Sequence, residues 1–496
     1  MKLKFFGKAV AFLTIFAVLA QLVGIIVTPK WIGEDTEWEP ATRMTEGFYD
    51  EPKNSIDVVF LGSSLIYRGI SPITLWNDYG ITGYDCGSSV QRMWISYYYL
   101  EEVLNYQSPK AVVLNMNGIT DDTPNDEDRN RKALDYLRPS GTKLQAVAAS
   151  MSGKEHFADY LFPLLRYHSR WENLTEDDFS YLSSDRHYFA KGQDLQFEST
   201  AYQPPKGWLN PTGQTAKAGK KAEAYFEKIV SLCKSKGISL LLIDMVSPAR
   251  FSYETHNLNE SLAKKFGLPY VDFNFCADAV GLDWNTDLRD QGVHLNVAGA
   301  EKFTRYLGSY LMGHYSLPDR RNSEMKKIWE CDAAAYAQAK ANYALSQETD
   351  FASYLQKLRN PDYLTFLSVS GYVSDSLPEN QLLGLHALGL QSSLGGPRKN
   401  WSYLAVVDGG KAMLEEQANR PLLLHRTLDG LPIELESQGF RLGNSASIKI
   451  DRKELACKGP GVNLVVYDKS KGEFVDSVSF DLDGKAGTLR KNLKSD

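Results

Sequence analysis

Gln291-Gly292-Val293-His294-Leu295-Asn296-Val297-Ala298-Gly299-Ala300 puts a histidine just ahead of a helix-like segment at 300–311. Far upstream, Val58-Val59-Phe60-Leu61-Gly62-Ser63-Ser64 closes a short apolar run in a Gly-Ser-Ser turn. A buried strand ending in such a turn can lift a hydroxyl out of the sheet edge. A serine and a histidine on separate strand ends are the two movable parts of a serine acyl-transfer site. The serine comes first here, and an Asp-His pair follows much later.

The segments between these two stretches alternate. Runs 56–61, 111–116, 238–243 and 268–273 are short and apolar, and read as buried strands. Residues 73–78, 93–106, 215–235 and 300–311 read as helical. Lys236-Gly237 suits the end of the third of these. Such alternation predicts a parallel sheet covered on both faces by helices. Ligands of such sheets bind beyond the carboxyl ends of the strands. Ser64, the residues after Met116 and the His294 loop all fall at such ends.

The N-terminus carries a different signal. Lys2, Lys4 and Lys8 precede residues 9–28, a run without a charge. At ~1.5 Å per residue it spans a ~30 Å hydrocarbon core. Glu34, Asp35, Glu37 and Glu39 follow it, so the positive-inside rule puts the N-terminus in the cytoplasm and the bulk outside. Residues 1–30 are therefore expected to be a cytoplasmic tip and single-pass anchor, with a cleaved signal peptide as the rival. Residues 31–54 read as a juxtamembrane connector. The 496-residue chain has a net charge of −6, which argues against a nucleic-acid partner. Its five cysteines, Cys86, Cys233, Cys276, Cys331 and Cys457, form no Cys-x-x-Cys pair, so neither a zinc site nor a disulfide scaffold is indicated. No metal cluster or cofactor motif is legible, and metal-independent chemistry is expected.

Within the α/β domain at 55–316, residues 119–210 form a long polar and aromatic insertion. Helices and loops that wall a groove or form a lid are expected there. His168, Arg170 and Trp171 are candidates to line a substrate groove; packing roles are the alternative. Residues 317–360 read as a helical linker, alanine-rich at 333–344. From 361 to 485 the pattern changes to short strand-like runs at 364–369, 403–407, 447–450, 462–467 and 477–481, separated by Gly, Asn and Asp turns. These predict a β-rich sandwich, with one helix at 382–390 and a tail at 486–496.

The order of Gly62-Ser63-Ser64 and Asp290-x-x-x-His294 resembles the SGNH/GDSL hydrolase-acyltransferase superfamily, whose first block ends in Gly-Asp-Ser and whose last is Asp-x-x-His. The resemblance implies a flavodoxin-like sheet with Ser64 as nucleophile and His294 as base. Asp290 stands four residues before the histidine rather than three, and Asp287 is a second candidate. The implied oxyanion donors are Gly87, in Tyr84-Asp85-Cys86-Gly87, and Asn117, where Gly118-Ile119-Thr120-Asp121 departs from the family's Gly-x-Asn-Asp. Asp272-Phe273-Asn274 could shape the site or cap a turn. The wording His-Leu-Asn-x-x-Gly-Ala is most similar to the membrane-anchored branch. That branch includes polysaccharide O-acetyltransferases and the D-alanyl transfer protein of teichoic acid, which implies a bacterial envelope setting. Residues 361–485, through the stretch 444–481 with Gly459-Pro460-Gly461-Val462-Asn463-Leu464-Val465-Val466-Tyr467, resemble the interleukin-like EMT inducer domain, which implies a sugar-binding module without catalytic residues.

Together these imply an extracytoplasmic, membrane-anchored O-acetyltransferase acting on a cell-surface or secreted polysaccharide. A multi-pass membrane O-acyltransferase would be the acyl donor. A glycan O-acyl esterase and a non-catalytic glycan-binding scaffold are the alternatives. The rival role for Ser64 is a hydroxyl capping the next helix, and for His294 a ring satisfied by a backbone carbonyl.

Overall fold

The computed structural model describes residues 2–29, 41–153, 155–180, 187–392, 394–484 and 486–493. The acidic residues expected to flank the anchor, Glu34 to Glu39, lie outside the described residues. The chain divides into two compact units, Met1–Tyr336 and Ala337–Asp496.

The first unit is built on five parallel strands: β1 (Val58–Gly62), β2 (Gly83–Gly87), β3 (Ala111–Asn115), β4 (Ser239–Asp244) and β5 (Tyr270–Asp272), in the order β2-β1-β3-β4-β5. That order reverses direction at β1 and β3, which opens a crevice at their carboxyl ends. Alternate side chains feed two cores. Val59, Leu61, Val112, Leu114 and Leu242 meet α5 (Met93–Leu104), α7 (Gly141–Ser150), α11 (Lys220–Lys236) and α12 (Tyr253–Phe266) on one face. Val58, Phe60, Val113, Leu241 and Ile243 meet α3 (Ser64–Gly69) and α14 (Val297–His314) on the other. Each fully buried side chain of this kind contributes roughly 1.5–3 kcal/mol, so both faces hold the sheet. The helix α4 (Pro72–Tyr79) has Ser71 as its N-cap and Pro72 in its first turn.

A strand and a helix near the N-terminal end of this unit were not expected from the sequence. The strand β2, Gly-Tyr-Asp-Cys-Gly, has no apolar run. It is held by pairing with β1 and by full burial, which raises the Asp85 carboxyl well above its ordinary range. In the expected connector, residues Ala41–Asp50 form helix α2, and Phe48 packs edge-on against Tyr84 and Tyr106 at 5.5 and 6.2 Å. The second half of that segment is thus part of the folded unit. The N-terminal helix α1 (Lys2–Val27) is long and apolar enough to cross a membrane or to serve as a signal sequence.

The insertion between β3 and β4 contains α6 (Glu127–Leu134), α7, α8 (Phe157–Leu161), α9 (Pro163–Tyr167), a 3₁₀ turn at His168–Asn173 and α10 (Glu176–Ser180). Residues 187–219 then return to α11 without a strand or helix. Residues 273–280 form a 3₁₀ turn and α13 (Ala277–Val280), and 317–360 contain α15 (Lys326–Ser346) and α16 (Phe351–Lys357).

The second unit has an antiparallel six-stranded sheet and a four-stranded one. The larger includes β6 (Tyr363–Ser370), β7 (Ser402–Asp408), β13 (Gly461–Asp468) and β14 (Glu473–Phe480); the smaller includes β9 (Leu422–Leu428), β10 (Leu431–Gln438) and β11 (Ser445–Ile450). Leu364, Phe366, Leu404 and Val406 pack against Leu435, Ile448 and Ile450, so the sheets meet face to face. Leu367 and Val369, one step along in the pleat, point the other way. They pack against α16 and the region of α17 (Glu379–Ala387) through Leu355, Leu385 and Leu388.

Candidate active site

Ser64 is the first residue of α3, directly after β1 ends at Gly62. A side chain at Gly62 would collide with Ile66 at 2.6 Å and with Asn115 at 2.9 Å. Only glycine lets the chain reverse this tightly and leave the Ser64 hydroxyl at the sheet edge. Ser63, not Ser64, is the N-cap, and it makes no side-chain cap hydrogen bond. A helix-capping role for Ser64 is therefore not what the structure uses.

His294 precedes α14 in a loop that Asn296 pins. Its side chain caps the helix by accepting from Gly299 N at 3.1 Å and donates to the Thr286 carbonyl at 2.7 Å. A side chain at Gly299 would meet the Asp287 carbonyl oxygen at 2.3 Å, so glycine is what brings the loop onto the helix. These two roles give the Leu-Asn-x-x-Gly wording its physical meaning.

The three residues come together. His294 Nε2 lies 2.8 Å from Ser64 Oγ, and His294 Nδ1 lies 2.6 Å from Asp290 Oδ2. Asp290 Oδ1 also accepts the backbone N–H of His294 at 2.9 Å and of Val293 at 3.2 Å. Burial works to raise the Asp290 carboxyl. The His294 hydrogen bond and charge, with the two backbone amides, outweigh burial and hold it down at about 2. Asp290 is therefore ionised at neutral pH. It then takes the Nδ1 proton in its hydrogen bond and leaves Nε2 free to accept from the Ser64 hydroxyl.

Asp287, the second candidate, is committed elsewhere. Its Oδ2 accepts from Lys302 Nζ at 2.6 Å and from Asp283 N at 2.7 Å, and Oδ1 accepts from Thr286 Oγ1 at 3.0 Å. It holds the loop to α14 and does not touch the imidazole.

Beyond β3, β4 and β5 lies a polar cleft lined by Leu65, Asn115, Asn117, Ser247, Asp272 and Asn274 among others. Asn117 is exposed there, and its backbone N–H donates to Asn115 Oδ1 at 3.1 Å. The Nδ2 of Asn115 is buried without a hydrogen-bond partner. A buried donor left open is costly unless something fills it. Asn115 is thus a second amide at this strand end that the sequence reading passed over. Its signal was position, as the last residue of a buried run. Gly87 pairs with Gly62 at the carboxyl ends of β2 and β1. Asp272 both caps the following 3₁₀ turn, accepting from Asn274 N at 3.0 Å, and lines the cleft.

A second set of residues links the two halves of the triad. Arg68 on α3 donates to Asp194 at 3.0 Å, and Gln196 Nε2 donates to Asp194 at 2.9 Å. Arg289 then donates to Gln196 Oε1 at 2.7 Å, and Val297 N to the Gln196 carbonyl at 2.8 Å. The return segment of the insertion therefore straps the Ser64 helix to the His294 loop.

His168, Arg170 and Trp171 are not part of this arrangement. None lines the cleft, and none bonds to a triad member. Arg170 instead donates to the Val27 carbonyl at 3.0 Å and pairs with Asp178, and His168 Nδ1 lies 3.0 Å from the Leu165 carbonyl. The structure thus places Arg170 at the outer end of α1, away from the Ser64–His294–Asp290 hydrogen bonds. Among the described residues, no group of three or more His, Cys, Asp or Glu could hold a metal ion.

No family model and no curated protein matches the sequence. Among solved structures, a GDSL-like lipase from Bacteroides thetaiotaomicron is similar at 13% identity, over 55% of this chain and 97% of that one, with a TM-score of 0.27. A likeness of that size leaves the functional reading to the geometry of Ser64, His294 and Asp290.

Proposed function

We propose that this chain is a serine acyl-transfer enzyme of the SGNH/GDSL type, anchored by α1 and facing away from the cytoplasm. Its leading reaction is O-acetyl transfer to a cell-envelope or secreted polysaccharide. The observation that carries the reading is the unbroken chain from Ser64 Oγ to His294 to Asp290, at 2.8 and 2.6 Å.

In this reading Ser64 Oγ attacks the acyl carbonyl while His294 Nε2 takes its proton. The imidazolium is stabilised by ionised Asp290, and it returns the proton to the leaving alkoxide. An acyl-serine results. An acceptor hydroxyl then gives its proton to His294 and attacks the acyl-serine; the C–Oγ bond breaks, and His294 returns the proton to Ser64 Oγ. Asn115 Nδ2, with Gly87 and Asn117 as the other candidates, would donate to the oxyanion; one such donor contributes about 2.7–4 kcal/mol. The same machinery with water as acceptor is an esterase. A multi-pass membrane O-acyltransferase is proposed as the source of the acyl group. The second unit, read as an interleukin-like EMT inducer domain, would hold the glycan near the site and raise its local concentration.

The full chain in detergent, given a chromogenic acetyl ester, tests the serine site. Release by the wild type that Ser64→Ala and His294→Ala both abolish supports it. An oligosaccharide acceptor that diverts acetyl from water then separates transferase from esterase. No release, together with no fluorophosphonate labelling of Ser64, would leave a non-catalytic glycan-binding scaffold as the better reading.

A further inference from the structure

The described part of the first unit, outside α1, exposes nine large apolar side chains, and five of them fall between residues 157 and 179. They are Phe157 on α8, Phe162, Leu165 on α9, Trp171 in the 3₁₀ turn and Phe179 on α10; Leu165 is 55% and Trp171 66% exposed. Such a concentration marks a surface that something covers.

The same segment is fastened to the outer end of α1. Gln21 Nε2 donates to the Leu161 carbonyl at 2.9 Å, and Arg170 donates to the Val27 carbonyl at 3.0 Å. The Pro163 ring lies 3.5 Å from where a side chain would begin at Gly24. The apolar stretch of α1 runs from Phe6 to Val27, 22 residues that contain an 18-residue window with a mean hydropathy of 2.7. At ~1.5 Å per residue, Gln21 lies ~9 Å and Gly24 ~4.5 Å inside its outer end. Leu161 and Pro163 therefore meet the helix below that end, which with α1 read as a membrane anchor is the depth of the headgroup–acyl boundary. The segment is also rigidly tied to its own unit. The Arg131 guanidinium stacks 3.9 Å over the Tyr160 ring, and Tyr167 donates to Asp135 at 3.2 Å.

We propose that residues 157–179 form a lipid-contacting platform that dips into the leaflet where α1 emerges. Phe157, Phe162, Leu165, Trp171 and Phe179 enter the boundary region, where aromatic side chains are favoured. The polar heads of Arg166 and His168 remain in the headgroup layer. This rests on the reading of α1 as an uncleaved anchor. Its consequence is a two-point attachment: one helix alone lets the catalytic unit swing, whereas helix and platform together fix which way it faces.

Depth measurement in vesicles of phosphatidylcholine and phosphatidylglycerol tests this. The full chain, with Cys276, Cys331 and Cys457 replaced by Ser and the buried Cys86 and Cys233 kept, would carry one nitroxide-labelled cysteine at Leu19, Leu165, Trp171 or Lys234. Collision with oxygen and with a water-soluble nickel complex reports depth. Leu19→Cys should be deep, Lys234→Cys aqueous, and Leu165→Cys and Trp171→Cys at the boundary between them. A deep label at Leu19 with aqueous labels at both 165 and 171 overturns the platform and leaves the anchor standing. An aqueous label at Leu19, or a mass showing the N-terminal residues removed, overturns the anchor and the platform with it.

Discussion

Two His–Asp pairs stand on the carboxyl-end side of the same parallel sheet, and among the described residues only His294–Asp290 meets a serine hydroxyl. His294 bonds Asp290 through Nδ1 and meets Ser64 through Nε2. His256 bonds Asp272 through Nδ1 at 2.9 Å, its ring lies among Phe275, Tyr253 and Tyr270, and among the described residues the hydroxyl near it, that of Tyr270, meets the same Nδ1 at 3.4 Å rather than the other nitrogen. The carboxylates differ as well. Asp272 is buried and also spans the Asn274 turn, whereas Asp290 is partly open and turns both oxygens to the His294 loop. An imidazole–carboxylate pair is therefore a positioning device in general. It becomes a base only where the fold places a hydroxyl on its far side.

The sharpest break of this contrast is at Ser64. Ser64→Ala or His294→Ala should cost roughly 10⁶-fold in turnover of an activated ester, with folding unchanged by circular dichroism. Asp290→Asn keeps the shape but offers the imidazole the wrong partner, and should cost ~10⁴-fold. Asp287→Asn should instead lower the melting temperature, since Asp287 holds Lys302; equal losses of turnover from the two substitutions would refute the assignment. Asp194→Ala removes the carboxylate that Arg68 and Gln196 both meet, so it should lower the midpoint of denaturant unfolding and loosen the strap between the Ser64 helix and the His294 loop. His256→Gln should hold turnover within about threefold, under 1 kcal/mol; a loss near that of His294→Ala would show that the second pair works in catalysis.

The smallest expected effect is on pH. The folded-state pKa of Asp290, at about 2, lies below the free value of ~3.9. Its contribution to stability is thus fully present above about pH 4 and is lost as pH falls through about 2. The difference in melting temperature between wild type and Asp290→Asn should shrink across that window and stay constant above it. A gap that persists unchanged to pH 2 would mean that Asp290 is not held by charge.

Much of the first unit was legible because burial on both faces demands unbroken apolar runs, as in Val58-Val59-Phe60-Leu61 and Ala111-Val112-Val113-Leu114. β2 was not legible, because its burial is set by neighbours and its own side chains are small or polar. In the second unit the strands of the larger sheet were readable where both faces are covered. β9, with Leu422 buried but His425 and Arg426 exposed, carries too weak an alternation to be seen alone. His256 and the Asp194–Gln196 strap left no sequence signal, since each acts through residues far apart in the chain.

Sequence order alone determined that a serine would end the first strand and that a histidine would precede the last helix of the sheet domain. Local chemistry suffices for that: a glycine turn after an apolar strand, and an Asn cap before a helix. Which aspartate serves the histidine was decided only in three dimensions. Asp290 and Asp287 both lie within reach in sequence, but the loop closes so that Asp290 accepts two backbone amides and the imidazole together, while Lys302 on α14 draws Asp287 away. Hydrogen bonds are short and directional, so spacing along the chain names the candidates and the folded loop chooses between them.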